Sequence, residues 1–101
     1  MKIIEIVEQI FPISSAIKNA YIDFSKMDCS VVAIKTDQYI NGDQIIGYGF
    51  HSNGRYAVSE LLKKRFIPRI KDLDSKGLLN DEGNNFSPEK IWKAMMHNEK
   101  P

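Results

Sequence analysis

The sequence predicts an α+β fold, in which a three-stranded antiparallel β-meander is followed by a small helical bundle. Residues 3–13 and 30–40 are rich in β-branched side chains, which favour strands. Asn41-Gly42 follows the second stretch and is a strong hairpin signal, because a type I′ turn needs positive φ at both central residues. Beyond residue 57, apolar residues recur every three or four positions, as they do on one face of a helix.

The first half of the chain reads as strand, loop, strand, hairpin, strand and loop. The first strand is predicted over 3–13, and Pro12 places its end near a sheet edge. Residues 14–28 lack a sustained period and form a long connection, which in so small a domain is typically functional. After the second strand, residues 43–51 return as the third, and residues 51–56 form a second loop.

The second half is predicted to be helical. One apolar stripe begins the first helix, and Pro68 is expected to end or kink it. A short helix and a turn around Gly77 follow, and residues 81–85 form a loop. The stripe consists of Val58, Leu61, Leu62, Arg65 and Phe66, and the short helix carries Ile70, Leu73, Leu78 and Leu79.

The last helix has a clear start signal in Ser87-Pro88-Glu89. These residues supply a serine cap, a proline at the first helical position and an acid near the positive end of the helix dipole. Its apolar face is predicted to pack on the sheet or against a partner that lies outside the chain. That face consists of Ile91, Trp92, Met95 and Met96.

Composition narrows the class of protein. A chain of 101 residues and 11.6 kDa is one domain, residues 1–101. Its 14 basic and 13 acidic residues argue against broad binding to nucleic acid or a membrane surface. The single cysteine excludes an intrachain disulfide and favours a reducing, cytoplasmic setting. Glu5 and Glu8 interrupt the apolar N-terminus, so we expect no signal peptide, and no apolar run is long enough for a membrane span.

Polar side chains are concentrated in residues 47–56, GYGFHSNGRY. This stretch begins as a strand and ends in a loop that carries histidine, serine, asparagine, arginine and tyrosine among three glycines. A simple turn needs only one or two such residues, whereas a pocket for a polar ligand uses several convergent ones. The sequence therefore predicts that this loop contributes to a binding site.

Four motifs in order give the chain a resemblance to a known family. They are PISS at 12–15, KNAYIDFSKM at 18–27, GYGFHSNGRY at 47–56 and NEKP at 98–101. Together with the predicted meander and helices, they resemble the N-terminal capping domain of the enolase superfamily, in its mandelate racemase-like branch, and within it the D-tartrate dehydratase group. The resemblance covers essentially the whole chain.

The resemblance implies a role in a Mg²⁺-dependent hydro-lyase. In that family a (β/α) barrel follows the cap and supplies three carboxylates for the ion, a lysine base and a histidine acid. The enzyme dehydrates a hydroxy diacid through an enediolate to a keto acid, and the two cap loops close over the substrate and set specificity. The barrel expected after residue 101 is absent from this chain. We therefore expect these residues alone to be inactive and to act as the specificity part of an enzyme.

The resemblance also implies the residues that contact the substrate. They lie in the two loops and at the junction with the barrel, and they are Asn19, Tyr21, Asn53, Arg55, Tyr56 and Lys100. Amides can serve both carboxylate and hydroxyl groups, and a guanidinium can clamp a carboxylate. Each also has an ordinary interpretation: a turn asparagine, a packing tyrosine, or a solvated arginine or lysine.

Other polar residues receive structural interpretations. His51 stands where the family pattern has asparagine, and its ordinary interpretation is a strand-end histidine facing solvent. Cys29 is predicted to be a strand residue in the core, and His97 has no metal-ligand spacing. The carboxylates that read as solvated surface charges are Asp72, Asp74, Asp81 and Glu82.

Two alternatives to the dehydratase cap remain open on sequence grounds. The two loops would serve equally well in a stand-alone module that binds a small anion. The uncovered face of the last helix would serve as an interaction surface for another protein or another copy, and a face intended for a barrel would also promote self-association.

Overall fold

The computed structural model describes residues 1–12, 28–52 and 58–99. Within these ranges the chain folds as α+β, with three strands, β1 (Ile3–Pro12), β2 (Asp28–Ile40) and β3 (Asp43–Ser52), in one antiparallel sheet of order β1-β2-β3. The predicted meander is therefore confirmed. Hydrogen-bonded pairing extends the strands beyond the sequence estimate: Asp28, predicted as the last loop residue, begins β2, and Ser52 ends β3.

The hairpin between β2 and β3 turns at Asn41-Gly42, as predicted. Both residues have positive φ, 52° and 84°, which is the geometry of a type I′ turn. The register shifts between Lys35 and Tyr39. Thr36 lies at this irregularity with 3% of its surface exposed, and its hydroxyl donates to the Ile45 carbonyl at 2.8 Å. A side-chain hydrogen bond thus satisfies part of the interrupted ladder.

The helical half starts with one continuous helical stretch of changing geometry. It comprises α1 (Val58–Leu61), a π-helical stretch (Leu62–Phe66) and α2 (Ile67–Lys71). The sequence predicts that Pro68 ends or kinks the helix, but the helical stretch continues through this residue. Pro68 lies in the first turn of α2, where a missing N–H is tolerated, and the departure from α geometry precedes it.

A short 3₁₀ helix (Ser75–Leu78) and α3 (Pro88–Met95) complete the helical half. The start of α3 is confirmed, because the Ser87 side chain accepts a hydrogen bond from the Lys90 backbone N–H at 3.3 Å. Arg69 holds the other end of α3 by donating to the Met95 carbonyl at 2.6 Å. No helix among the residues described is long and apolar enough to cross a bilayer.

The sheet and the helices enclose the apolar interior. Directly paired residues share a face, so Ile6, Ile34 and Gly47 form one row of the inner face, and Glu8, Val32 and Gly49 form the next. Between this face and the helices lies an apolar cavity of about 240 Å³, lined in part by Ile6, Val32 and Gly49 of the sheet and by Phe66, Ile91 and Met95 of the helices. Ile70 and Leu78, with 5% and 2% of their surfaces exposed, are the most buried apolar residues described.

The predicted apolar face of the last helix divides into two parts. Ile91 and Met95 line the interior cavity, so this part packs toward the sheet as one of the two expectations held. The other part of the face contains Trp92, which is 60% exposed. On the outer face of the sheet, Tyr48 and Phe50 are 73% and 80% exposed.

Candidate functional site

Both polar loops are bounded by the same end of the sheet. Pro12, the last residue of β1, lies opposite Asp28, the first residue of β2. Ser52, the last residue of β3, lies opposite Cys29. Residues 13–27 therefore leave and rejoin the sheet at the end from which residues 53–57 leave it, opposite the Asn41-Gly42 turn.

A buried carboxylate holds this end together. The Glu8 side chain of β1 is only 3% exposed. Its Oε2 accepts a hydrogen bond from the Ser30 hydroxyl of β2, and its Oε1 accepts one from the Ser59 hydroxyl of α1, each at 2.6 Å. Both serines are buried, with 0% and 3% of their surfaces exposed. Glu8 thus joins β1, the strand that follows the first loop and the helix that follows the second.

Two basic side chains complete the cluster. Lys63 Nζ lies 3.7 Å from Glu8 Oε1, and His51 Nε2 lies 3.8 Å from Glu8 Oε2. Burial alone would raise the pKa of the Glu8 carboxyl. The hydrogen bonds from Ser30 and Ser59 and the nearby positive groups outweigh that effect, so the pKa of Glu8 falls below its usual value of 4.5. Glu8 is accordingly ionised at neutral pH despite its burial.

His51 corrects one of the sequence interpretations. A strand-end histidine was expected to face solvent, but its side chain is 25% exposed and faces Glu8 across the sheet. The reason is register: His51 lies opposite Ser30 and shares its inner face. Its Nδ1 lies 3.4 Å from the Ser52 carbonyl oxygen, while the buried Nε2 makes no hydrogen bond.

Asp28 contributes the other buried polar atom without a hydrogen bond in the part of the chain that is described. Its Oδ1 is enclosed and has no donor. Asp28 lies two residues from Ser30 along β2, so both point to the inner face. The end of the sheet that bounds the loops therefore carries two carboxylates, a histidine and, from the adjoining helical stretch, a serine and a lysine.

The hydrogen bonding of Glu8 indicates what the cluster can do. Each carboxylate oxygen accepts from a buried hydroxyl, and the lowered pKa makes the group a poor proton acceptor near neutral pH. These are the properties of an anchor for the surrounding segments. The ionised carboxylate ties β1 to β2 across the first loop and to α1 after the second.

The structure does not describe the residues that the resemblance implies as substrate contacts. Asn19, Tyr21, Asn53, Arg55, Tyr56 and Lys100 all fall outside the described residues. Their roles stay predictions. Of the motif residues that are described, His51 belongs to the polar cluster. Cys29, which lies outside the motifs, is half-buried in β2. The four carboxylates interpreted as surface charges, Asp72, Asp74, Asp81 and Glu82, are exposed, and Asp74 also caps the 3₁₀ helix.

The sequence interpretation missed Glu8, Ser30, Ser59 and Lys63. A signal for Glu8 was present, because the alternation Ile6, Glu8, Ile10 places its carboxylate on the same face as two isoleucines. No comparable signal marks the serines. Their partnership with Glu8 depends on pairing across the sheet and on how α1 packs, which no local pattern contains.

The described residues do not form a metal site. No group of three or more histidine, cysteine, aspartate or glutamate side chains in residues 1–12, 28–52 and 58–99 is placed to hold an ion. No model of a known protein family matches the chain. Any function proposed for the chain must account for the geometry at this end of the sheet and for the four sequence motifs.

Proposed function

We propose that this chain is the substrate-specificity cap of a Mg²⁺-dependent acid-sugar dehydratase, similar to the D-tartrate dehydratases. In this proposal the loops at residues 13–27 and 53–57 contact a hydroxy-dicarboxylate substrate. A catalytic barrel that follows the cap carries the metal ligands and the acid and base. The described residues form no metal cluster, so no step of the chemistry is assigned to them.

The observation that carries the proposal is the common origin of the two loops. Two loops that start close together can contact one small ligand, and the pairing of Pro12 with Asp28 and of Cys29 with Ser52 brings both ends of the first loop and the start of the second to one end of the sheet. The Glu8 cluster supports it further, because it ties together β1 and β2, which flank the first loop, and α1, which follows the second.

The proposal is tested on the product of a reading frame that continues beyond Pro101 into a barrel. The protein is supplied with Mg²⁺ and a panel of hydroxy diacids of both stereochemical series, and keto-acid formation is measured. Dehydration of at least one member is expected, and Asn19→Ala and Asn53→Ala are expected to raise KM. If no member of the panel is dehydrated by a folded, barrel-containing protein, the dehydratase assignment fails.

A stand-alone anion-binding module is the second candidate. Lys63, a cation that is 53% exposed at the end of the sheet that bounds the loops, favours it. Calorimetry with tartrate on the 101-residue chain separates the two proposals. Binding tighter than about 1 mM would support the module. Absence of heat, with activity in the barrel-containing protein, supports the cap.

A further inference from the structure

A second surface of the molecule is independent of the loops and of the proposed function. A cleft of about 670 Å³ lies between α2 and α3, which is within the range of ligand and peptide sites. We call it the α2–α3 groove. Leu73, which is 44% exposed, and Ala94 supply apolar surface to it.

Basic side chains dominate the lining of the α2–α3 groove. Arg69, Lys90, Lys93 and His97 line it, whereas Asp72 is the one acid among its described lining residues. Two of the basic residues, Lys90 and Lys93, lie on one side of α3. His97 continues that side beyond Met95, because its backbone N–H still bonds to the Ala94 carbonyl at 3.5 Å.

The existing partners of these cations do not prevent binding. Lys93 pairs with Glu89 at 3.3 Å, but both side chains are mostly exposed, at 68% and 76%. Lys90 pairs with the fully exposed Asp81 at 3.6 Å and also donates a hydrogen bond to the Leu79 carbonyl at 2.7 Å, which leaves further Nζ hydrogens for a carboxylate. Exposed ion pairs of this kind are worth little and exchange readily. Arg69 is different, because it is committed to the Met95 carbonyl and to Glu99.

The spacing of the cations selects the kind of occupant. Lys90, Lys93 and His97 span seven residues, which corresponds to roughly 10 Å along a helix. A small anion can bridge Lys90 and Lys93, which are three residues apart in α3, but it does not extend to His97 as well. A helix with acids at i, i+3 and i+7 presents three carboxylates at the same spacing, with aliphatic side chains between them facing Leu73 and Ala94.

We propose that the α2–α3 groove binds an acidic amphipathic helix of a partner protein. The carboxylates of that helix pair with Lys90 and Lys93 and accept a hydrogen bond from the His97 ring, and its aliphatic face covers Leu73. This interaction does not depend on the loops or on any dehydratase activity.

The test uses a capped peptide of about 14 residues with leucine at heptad positions a and d, glutamate at b and e, which places the acids at i, i+3 and i+7, and alanine elsewhere. It is titrated into the isotopically labelled chain, and amide shifts are followed by NMR. We expect saturable shifts confined to residues 69–77 and 90–97. A second peptide, with lysine in place of every glutamate, is expected not to bind.

Two matched variants locate the site. Lys93→Glu and Lys64→Glu each reverse an exposed lysine that pairs with a glutamate four residues earlier, but only Lys93 lines the groove. Lys93→Glu is expected to weaken binding at least about fivefold, and Lys64→Glu by less than about twofold. His97→Glu provides a second groove variant should Lys93→Glu fail to give a dispersed spectrum.

Three results would overturn the proposal. The first is no shift at about 1 mM peptide. The second is equal weakening by Lys64→Glu and the groove variants, and the third is equal binding of the lysine peptide. Shifts confined to Tyr48 and Phe50 of the exposed sheet face would likewise place the interaction elsewhere and count against the groove.

Discussion

Replacing Glu8 with glutamine tests the central observation about the loop end of the sheet. The change keeps the shape of the side chain but removes its charge. A glutamine can accept from one serine through its oxygen and donate to the other through its amide, so Ser30 and Ser59 both keep a partner. What disappears is the ionic character of both hydrogen bonds and the attraction to Lys63 and His51.

The magnitude follows from the two hydrogen bonds at 2.6 Å. A hydrogen bond to a charged group contributes about 1.5–3 kcal/mol, and a neutral one about 0.5–1.5 kcal/mol. Losing the charged character of two such bonds at a site that is 3% exposed is therefore expected to lower the free energy of unfolding by about 2 kcal/mol at pH 7.

The loss of stability caused by Glu8→Gln is expected to shrink as the pH falls. The pKa of Glu8 in the folded chain lies below the ordinary value of 4.5. Its stabilising contribution is therefore complete above about pH 4.5 and is lost as the pH falls through the folded pKa. The wild-type chain and Glu8→Gln should differ fully at pH 7 and converge at low pH, because wild-type Glu8 is then also neutral.

Urea unfolding at several pH values, followed by far-ultraviolet circular dichroism, measures this difference. Glu5→Gln is the matched control: Glu5 lies in the same strand but is 56% exposed, and its pair with Lys35 spans 3.5 Å. That control is expected to change stability by less than about 0.5 kcal/mol. A Glu8→Gln effect of equal size at pH 7 and pH 3 would refute the role given to the charge, and an effect no larger than that of the control would refute the anchor.

Other substitutions give shorter tests. Gly42→Ala is expected to destabilise the chain by about 1 kcal/mol, because Gly42 has φ of 84°. Gly49→Ala is expected to raise the melting temperature, because a Cβ there meets no atom within 4 Å and adjoins the interior cavity. Thermal unfolding of the two variants side by side decides both. Ser87→Ala is expected to cost about 1 kcal/mol in urea unfolding, because it removes the cap on the Lys90 N–H. Arg69→Lys is expected to expose Met95 and the end of α3 to faster amide exchange, because lysine cannot contact both the carbonyl and Glu99 in the same way.

The parts of the fold that rest on local chemistry were predictable. Asn41-Gly42 fixes the hairpin because few other residues accept positive φ twice in succession, and Ser87-Pro88 fixes the start of α3 through groups within one turn. Strand ends were less accurate because pairing partners decide them. No local sequence pattern predicts the π-helical stretch Leu62–Phe66. The irregularity in this helix was therefore predicted at Pro68 instead.

The polar cluster was only partly predictable because it is assembled from residues distant in the sequence. Glu8 and Ser59 are 51 residues apart, and Glu8 and Ser30 are 22 apart. The alternation in β1 places Glu8 on the inner face, but it does not say which donors meet it there. His51 shows the same limit, since its environment follows from its place opposite Ser30 and not from the loop sequence that it precedes.

The position of the Glu8 cluster separates two kinds of change in the chain. It lies between the loops and the apolar layer, since Glu8 and Val32 share a row with Gly49, next to the row formed by Ile6. Ser30→Ala removes a fully buried donor to the charged anchor. On this reasoning, Ser30→Ala should lower both stability and the affinity of the loops for a ligand. Ser52→Ala, at an exposed position at the end of the neighbouring strand, should leave stability within about 0.5 kcal/mol of the wild type. Equal losses of stability from the two serine variants in urea unfolding would show that the hydrogen bond from Ser30 to Glu8 does not stabilise the fold as argued.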